Sequence, residues 1–325
     1  MLFMLLTGCE MIAERAGAPA DPSDNTEYTF TVDKGTTARS LGPKLAEAGI
    51  IDDGDAFTTY VRLTKEGGCL KAGRFHLRRS MSAGEILTEV CGAPLADEEP
   101  FTVVEGWRIR EIDAALTKKG WIEAGDYAAL ADDPARFTAA FPLPDDSLEG
   151  YLYPETYMVT VDRFTAEGFI QRQLDTLAER FYTPNQADID ASSRGWDALL
   201  IMASMVEREE PTPKNRPLIA GILWKRLDNA WHLGVDATSR YTLAEWNDRR
   251  AFLGKLRDPD EPYNTRLRPG LPPTPIGNPG QAALEASLRP ESSEYWYYLH
   301  DANQVLHPSR NQSEHEAYRR QYNVY

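Results

Sequence analysis

WDALLIMASMVEREE, residues 196–210, is the stretch from which the fold and the chemistry of the chain are read. On a 3.6-residue period Trp196, Leu200, Ala203 and Glu207 fall on one side, while Ile201, Met202 and Met205 make the opposite side apolar as well. A helix apolar on most sides is a buried one. Ser192 and Ser193 offer caps before it and Pro211 cannot continue it, which sets Glu207 in or near the last turn. Burial among Leu200, Ala203 and Val206 penalises the charged form of that carboxylate, and so does the negative end of the helix dipole. Glu207 is therefore a candidate general acid. The structural alternative is a carboxylate satisfied by an arginine or by backbone N–H groups.

Upstream, DDSLEGYLYPETYMV, residues 145–159, gathers aromatics around Gly150 and Pro154, with Glu149 and Glu155 between them. Such a segment suits either a packed core or a cleft wall on which Tyr151 and Tyr157 stack against sugar rings. Residues 165–182 read as a long amphipathic helix. Downstream, residues 215–227 read as a helix with Leu218, Ile219, Ile222 and Leu223 inward and Arg216, Lys225 and Arg226 on a solvated face. In VDATSRYTL, 235–243, Asp236 and Thr238 precede a helix start, where they either cap it or hydrogen-bond a substrate. The segment YNTRLRPGLPPTPIGNPG, 263–280, carries five Pro and three Gly, so it reads as a shaped loop and the rim of a cleft. A helix at 281–287, an aromatic strand at 294–299 and a helix at 313–321 close the chain.

Toward the N-terminus, YTFTV from Tyr28 alternates as a strand does and leads into helical patterns around 38–48 and 53–65. A strand at 74–77 follows, and Ser82 and Glu85 have capping-box spacing ahead of Ile86, Leu87 and Val90. The acidic, proline-containing stretch 94–100 marks a boundary. Beyond it come a strand at 101–104, a helix at 109–118 and short helices at 127–130 and 134–140. The pattern predicts an α+β protein: a tether over 1–27, a small α+β domain over 28–95, and a larger, mostly helical α+β catalytic domain with a cleft over 100–325.

The 325 residues carry 35 Lys and Arg against 50 Asp and Glu, a formal charge of −15 that disfavours nucleic acid as a partner. Five His and three Cys, with neither CxxC nor HExxH, give a zinc site little to be built from, and no metal is expected. The opening MLFMLLTGC is too short to span a bilayer. Leu6-Thr7-Gly8-Cys9 resembles a bacterial lipobox, which makes Cys9 a lipidation candidate; the other reading is the tail of a membrane anchor. Either places the rest outside the cytoplasm, where Cys69 and Cys91 are candidates to pair.

Four blocks, in order, resemble the endolytic murein transglycosylase or YceG-like family: LEGYLYPETY, LIMASMVERE, VDATSRY and YNTRLRPGLPPTPIGNPG. KAGRFHL, MSAGEIL and VVEGWRI add to the likeness, which runs over residues 28–325, and residues 28–95 resemble the LysM-like modules that bind glycan chains. The resemblance implies a lytic transglycosylase that cleaves the MurNAc–GlcNAc β-1,4 bond within nascent glycan strands, leaves 1,6-anhydroMurNAc ends and so ends strand elongation. It implies no cofactor, an N-terminal anchor on the outer side of the bacterial inner membrane, and peptidoglycan synthases as partners. It makes Glu207 the catalytic residue, with Glu149, Tyr151, Tyr157, Ser204, Asp236, Thr238, Tyr263, Asn264 and Thr265 as substrate-binding or supporting residues. Three positions depart from the family pattern: Ala237 for its Pro, Arg266 for its second Tyr, and LHPS at 306–309 for its HxFS. Two further functions stay open at this point. One is a muramidase using Glu207 with Glu149 or Asp236, and the other is a glycan-binding scaffold without catalysis.

Overall fold

The computed structural model describes residues 17–65, 68–96 and 98–324, so Cys9 lies outside the described residues. The chain divides into two compact units, Met1–Glu98 and Glu99–Tyr325, and mixes helices with small two-stranded sheets as an α+β fold.

In the first unit the strand Tyr28–Val32 pairs antiparallel with Gly73–Leu77, in a register that sets Phe30 opposite Phe75. Alternation turns Phe30, Val32, Phe75 and Leu77 to one buried face. The helices Ala38–Glu47 and Gly54–Thr64 cross between the strands, and Ala83–Cys91 follows them. Thr37 with Ser40 and Ser82 with Glu85 form capping boxes, while Asp53 caps the middle helix through its carboxylate. Gly42 and Gly54 allow the first two helices to touch: a Cβ on Gly42 would lie 2.2 Å from the Gly54 carbonyl oxygen. A disulfide joins Cys69 to Cys91.

The second unit is built around the helix Trp196–Glu209, in which every residue from Leu199 to Val206 is buried. It packs against Gln281–Leu288 and Arg216–Asp228, which also pack on each other. Polar stitches fix the contact: the Ser287 hydroxyl donates to the Leu199 carbonyl, and Trp224 Nε1 donates to that of Ser287. Ser204 accepts from the Ile276 N–H and donates to the Ile201 carbonyl. Gly221 is required where Glu291 crosses the helix, since a Cβ there would lie 1.9 Å from the Glu291 carbonyl oxygen. The strands Glu98–Thr102 and Thr156–Thr160 pair, as do Tyr297–His300 and Leu306–Ser309, the latter antiparallel. Among the described residues no helix is long and apolar enough to cross a membrane.

Four local expectations are corrected. The helix Ala166–Leu177 does not stop near Tyr182 but continues through a π-helical turn, Ala178–Tyr182, into Thr183–Ala191. Ser192 then closes that helix, and the central helix starts at Gly195 with no side-chain cap, because its burial supplies what a cap would add. Residues 134–140 form only a single 3₁₀ turn, Pro134–Arg136. Arg216 faces inward rather than to solvent, at 3% exposure, because a carboxylate waits for it inside.

Candidate active site

Three glutamates crowd the end of the central helix, and a rotation of about 100° per residue sends them to three different partners. Glu207 meets Arg216, whose Nη2 and Nη1 lie 2.6 and 3.1 Å from its two carboxylate oxygens. The Gly280 N–H donates a third hydrogen bond, at 3.0 Å, and the two side chains are 5% and 4% exposed. Gly106, at φ +77°, packs against the Glu207 and Arg208 side chains and shuts the remaining side. Glu210 is fully buried and meets His300 Nε2 at 2.9 Å.

Glu209 points in a third direction. It lines a cleft of about 1610 Å³ whose walls include Trp231, Trp246, Tyr297, Asp236 and Arg266. The Tyr298 hydroxyl donates to its carboxylate at 2.9 Å, and the Ala237 N–H adds a backbone hydrogen bond. Burial pushes the Glu209 carboxyl above its ordinary range, the neighbouring charge of Asp236 adds to the rise, and the Tyr298 and Ala237 hydrogen bonds oppose it. Among the described residues no cation forms a salt bridge with Glu209. Asp236, by contrast, is bound by Arg266 at 2.6 Å, and both side chains are about half exposed. A carboxyl raised by burial beside a groove, oriented by a phenol, has the chemistry of a group that protonates a leaving oxygen and takes a proton back.

Glu207, expected as the general acid, is a buried carboxylate that meets an arginine and a backbone N–H. Burial raises its carboxyl above the ordinary range and the charge of Glu105 adds to the rise, against the opposing Arg216 charge and Gly280 hydrogen bond. Glu149 is also buried away from the cleft, where it accepts from the Ile109 N–H at 3.2 Å and from the Tyr241 hydroxyl. Burial raises its carboxyl to about 8. Tyr151 and Tyr157 are core residues: one hydroxyl donates to Asp197 and the other to the Tyr153 carbonyl, so neither ring is free to stack on a sugar. Ser204, Thr238, Asn264 and Thr265 are buried and bind backbone. The Thr265 hydroxyl accepts from the Val235 N–H, and the Asn264 amide donates to the Lys255 and Asp258 carbonyls. Tyr263 is half-buried, its hydroxyl 2.8 Å from that of Thr274, so among the expected substrate residues only Asp236 reaches the cleft.

Sequence reasoning missed Glu209, Tyr298, Arg208 and Trp246. The available signal was polarity: Glu209 stands about 200° around the helix from Glu207, off the face shared with Leu200 and Ala203. Among the described residues no group of three His, Cys, Asp or Glu side chains is disposed to hold a metal ion.

The YceG-like family matches residues 30–321, nearly the whole chain. The chain belongs to the YceG-like family. It is 26% identical to an endolytic murein transglycosylase of Bacillus subtilis (strain 168) over 98% of this chain and 91% of that one. It is also 26% identical to an endolytic murein transglycosylase of Streptococcus pneumoniae (serotype 2, strain D39), covering 92% of this chain but 59% of the pneumococcal protein. The crystal structure of a YceG-like protein from Listeria monocytogenes superimposes with a TM-score of 0.60 at 25% identity, over 90% of this chain and 99% of that one. The YceG-like match takes in all of the central helix, the Pro-rich loop and the strands that carry Tyr298 and His300.

Proposed function

We propose that this YceG-like chain is a peptidoglycan lytic transglycosylase that cleaves the MurNAc–GlcNAc β-1,4 bond within glycan strands and leaves 1,6-anhydroMurNAc ends. The observation that carries the reading is a pair of carboxyls raised by burial at the end of one helix, Glu207 and Glu209; Glu209, oriented by Tyr298 and lining the cleft, is taken as the acid below, and Glu207 is the other candidate for the same role. Relatives named endolytic murein transglycosylases support peptidoglycan as the polymer cut. Protonated Glu209 donates to the glycosidic oxygen as the C1–O bond breaks. The resulting carboxylate then accepts the proton of the muramyl C6 hydroxyl as that oxygen closes on C1, so no water is consumed. Holding that hydroxyl beside C1 supplies the proximity that a hydrolase obtains from a second carboxylate and a water.

Asp236 lines the same cleft and is the observation behind the second reading, a muramidase with Glu209 as acid and Asp236 as base. Its pairing with Arg266 favours the first reading, because the guanidinium already occupies a carboxylate oxygen that a base toward water would use. Product analysis separates the two: anhydro ends support the lyase, reducing ends the hydrolase.

The proposal places the chain in the bacterial cell envelope, on the outer side of the inner membrane, held by its N-terminal segment near Cys9 and working beside peptidoglycan synthases. In that setting the α+β unit of residues 28–95 serves as a LysM-like module that holds glycan while the second unit cuts.

A further inference from the structure

Six arginines line the Glu209 cleft, in a chain whose net charge is −15. Most are already committed. Arg226 donates to the Leu233 and Trp296 carbonyls, and Arg240 donates to the Trp246 carbonyl while lying 3.8 Å over the Phe252 ring. Arg266 binds Asp236, and Arg319 binds Glu316. Arg249 stands exposed at the rim, where water serves it.

Arg208 differs from all of these. Its side chain is half-buried, its guanidinium lies 3.7 Å over the Trp246 ring, and among the described residues it has no hydrogen bond or ion pair. A second guanidinium, that of Arg108, sits 5.2 Å from the same ring, but Glu111 and the Tyr241 carbonyl neutralise and hold it. The indole is fixed from behind, through the Arg240 hydrogen bond to its backbone. Trp246 therefore presents to the cleft one flat, preorganised guanidinium, which feels the charges of Glu111 and Glu207 but is hydrogen-bonded by neither, on the residue between Glu207 and Glu209. A planar cation stacked on an aromatic face keeps its N–H edge free, and that edge matches a carboxylate.

We propose that Arg208, seated on Trp246, is a subsite for the carboxylate carried by the O3 substituent of a muramyl residue, and that this contact sets which bond of the alternating polymer reaches Glu209. The inference rests on the reading of the site as a peptidoglycan-cleaving one. A strand of alternating GlcNAc and MurNAc presents two kinds of β-1,4 bond with nearly the same local shape. The two sugars differ in the acidic substituent on O3, which only MurNAc bears. A cation fixed beside the acid stabilises the register in which MurNAc occupies the adjoining subsite and leaves the other register without a partner. The carboxylate has two sources: the lactyl group itself on a denuded strand, or the stem peptide on a substituted one.

The test measures binding apart from cleavage, in a Glu209→Gln background, by calorimetry. The ligands are stem-bearing strands, denuded strands and N-acetylglucosamine oligomers of equal length. Arg208→Gln is expected to weaken muramyl strands by about 10- to 100-fold, the span of a charge-assisted hydrogen bond, and to leave the N-acetylglucosamine oligomers unchanged. Arg208→Lys, which keeps the charge and loses the planar fork, is expected to fall between. A loss confined to denuded strands assigns the lactyl carboxylate, and a loss confined to stem-bearing strands assigns the peptide. Equal loss for all three ligands, or no loss for any, overturns the proposal. Cleavage of sacculi by the parent is scored separately, so failure of the subsite and failure of the enzymatic reading are told apart.

Discussion

Arg216 holds both carboxylate oxygens of Glu207, at 2.6 and 3.1 Å, with each side chain no more than 5% exposed. The pair ties the end of the central helix to the start of the next one, and Arg216 Nε adds a bond to the Glu210 carbonyl. It is the brace that aims the helix end, and with it Glu209, at the cleft.

Breaking that brace from one side leaves a buried charge alone. Arg216→Ala is expected to cost about 3–5 kcal/mol, the range for a buried pair losing one partner. For a unit of this size that lowers the melting temperature on the order of 10 °C. Calorimetric unfolding of the variant checks it, and a change of a degree or less means that Glu207 and Arg216 are not paired in solution.

Tyr298→Phe removes a hydrogen bond that favours ionised Glu209. Loss of this lowering influence, with burial and the charge of Asp236 left opposed only by the Ala237 hydrogen bond and the charge of His300, moves its pKa in the variant upward. A proton donor works while it is protonated, so the alkaline limb of the kcat profile shifts to higher pH, and the measurement is that profile on a soluble glycan substrate. A shift to lower pH contradicts the assignment of Tyr298 as a donor to the acid.

Arg266→Ala releases Asp236 from its only ion pair among the described residues. The freed carboxylate lines the cleft with Glu209 and can activate water there, so the share of reducing ends among the products rises at the expense of anhydro ends. Mass spectrometry of the released muropeptides reads the ratio. An unchanged ratio means that the ion pair is not what suppresses hydrolysis.

Glu149 makes stability depend on pH. Its carboxyl rises from 4.5 to about 8 on folding, so between those values the folded chain binds more protons than the unfolded one. Stability is greatest below the unfolded value, falls as pH rises through that window and levels off above it, a loss on the order of 3–5 kcal/mol at the high end. Glu149→Gln, which cannot ionise, is expected to be close to the parent near pH 5 and more stable than the parent at pH 9. Melting curves at the two pH values decide it; a parent that gains stability toward pH 9 contradicts the buried, neutral acid.

Local signals in the sequence carried the architecture well. The box of Ser82 and Glu85 and the apolar run from Leu199 to Val206 each act within a few residues, and each forms as its spacing requires. The site was harder, because its assignment depends on residues far along the chain. Nothing within VEREE says that Arg216 claims Glu207, that Tyr298 claims Glu209 and that His300 claims Glu210. The Pro-rich loop 263–280 was legible as irregular, yet its polar residues Asn264 and Thr265 turn onto buried backbone, since a loop without ladders must satisfy its own carbonyls and amides.

The most direct test compares Glu209→Gln and Glu207→Gln on purified sacculi, with the rate of anhydro-muropeptide release measured per folded molecule. The account predicts that Glu209→Gln falls by on the order of 10²–10⁴, while Glu207→Gln, though less stable, keeps activity within about tenfold of the parent. Release by Glu209→Gln at the parental rate, with activity lost in Glu207→Gln instead, would contradict it.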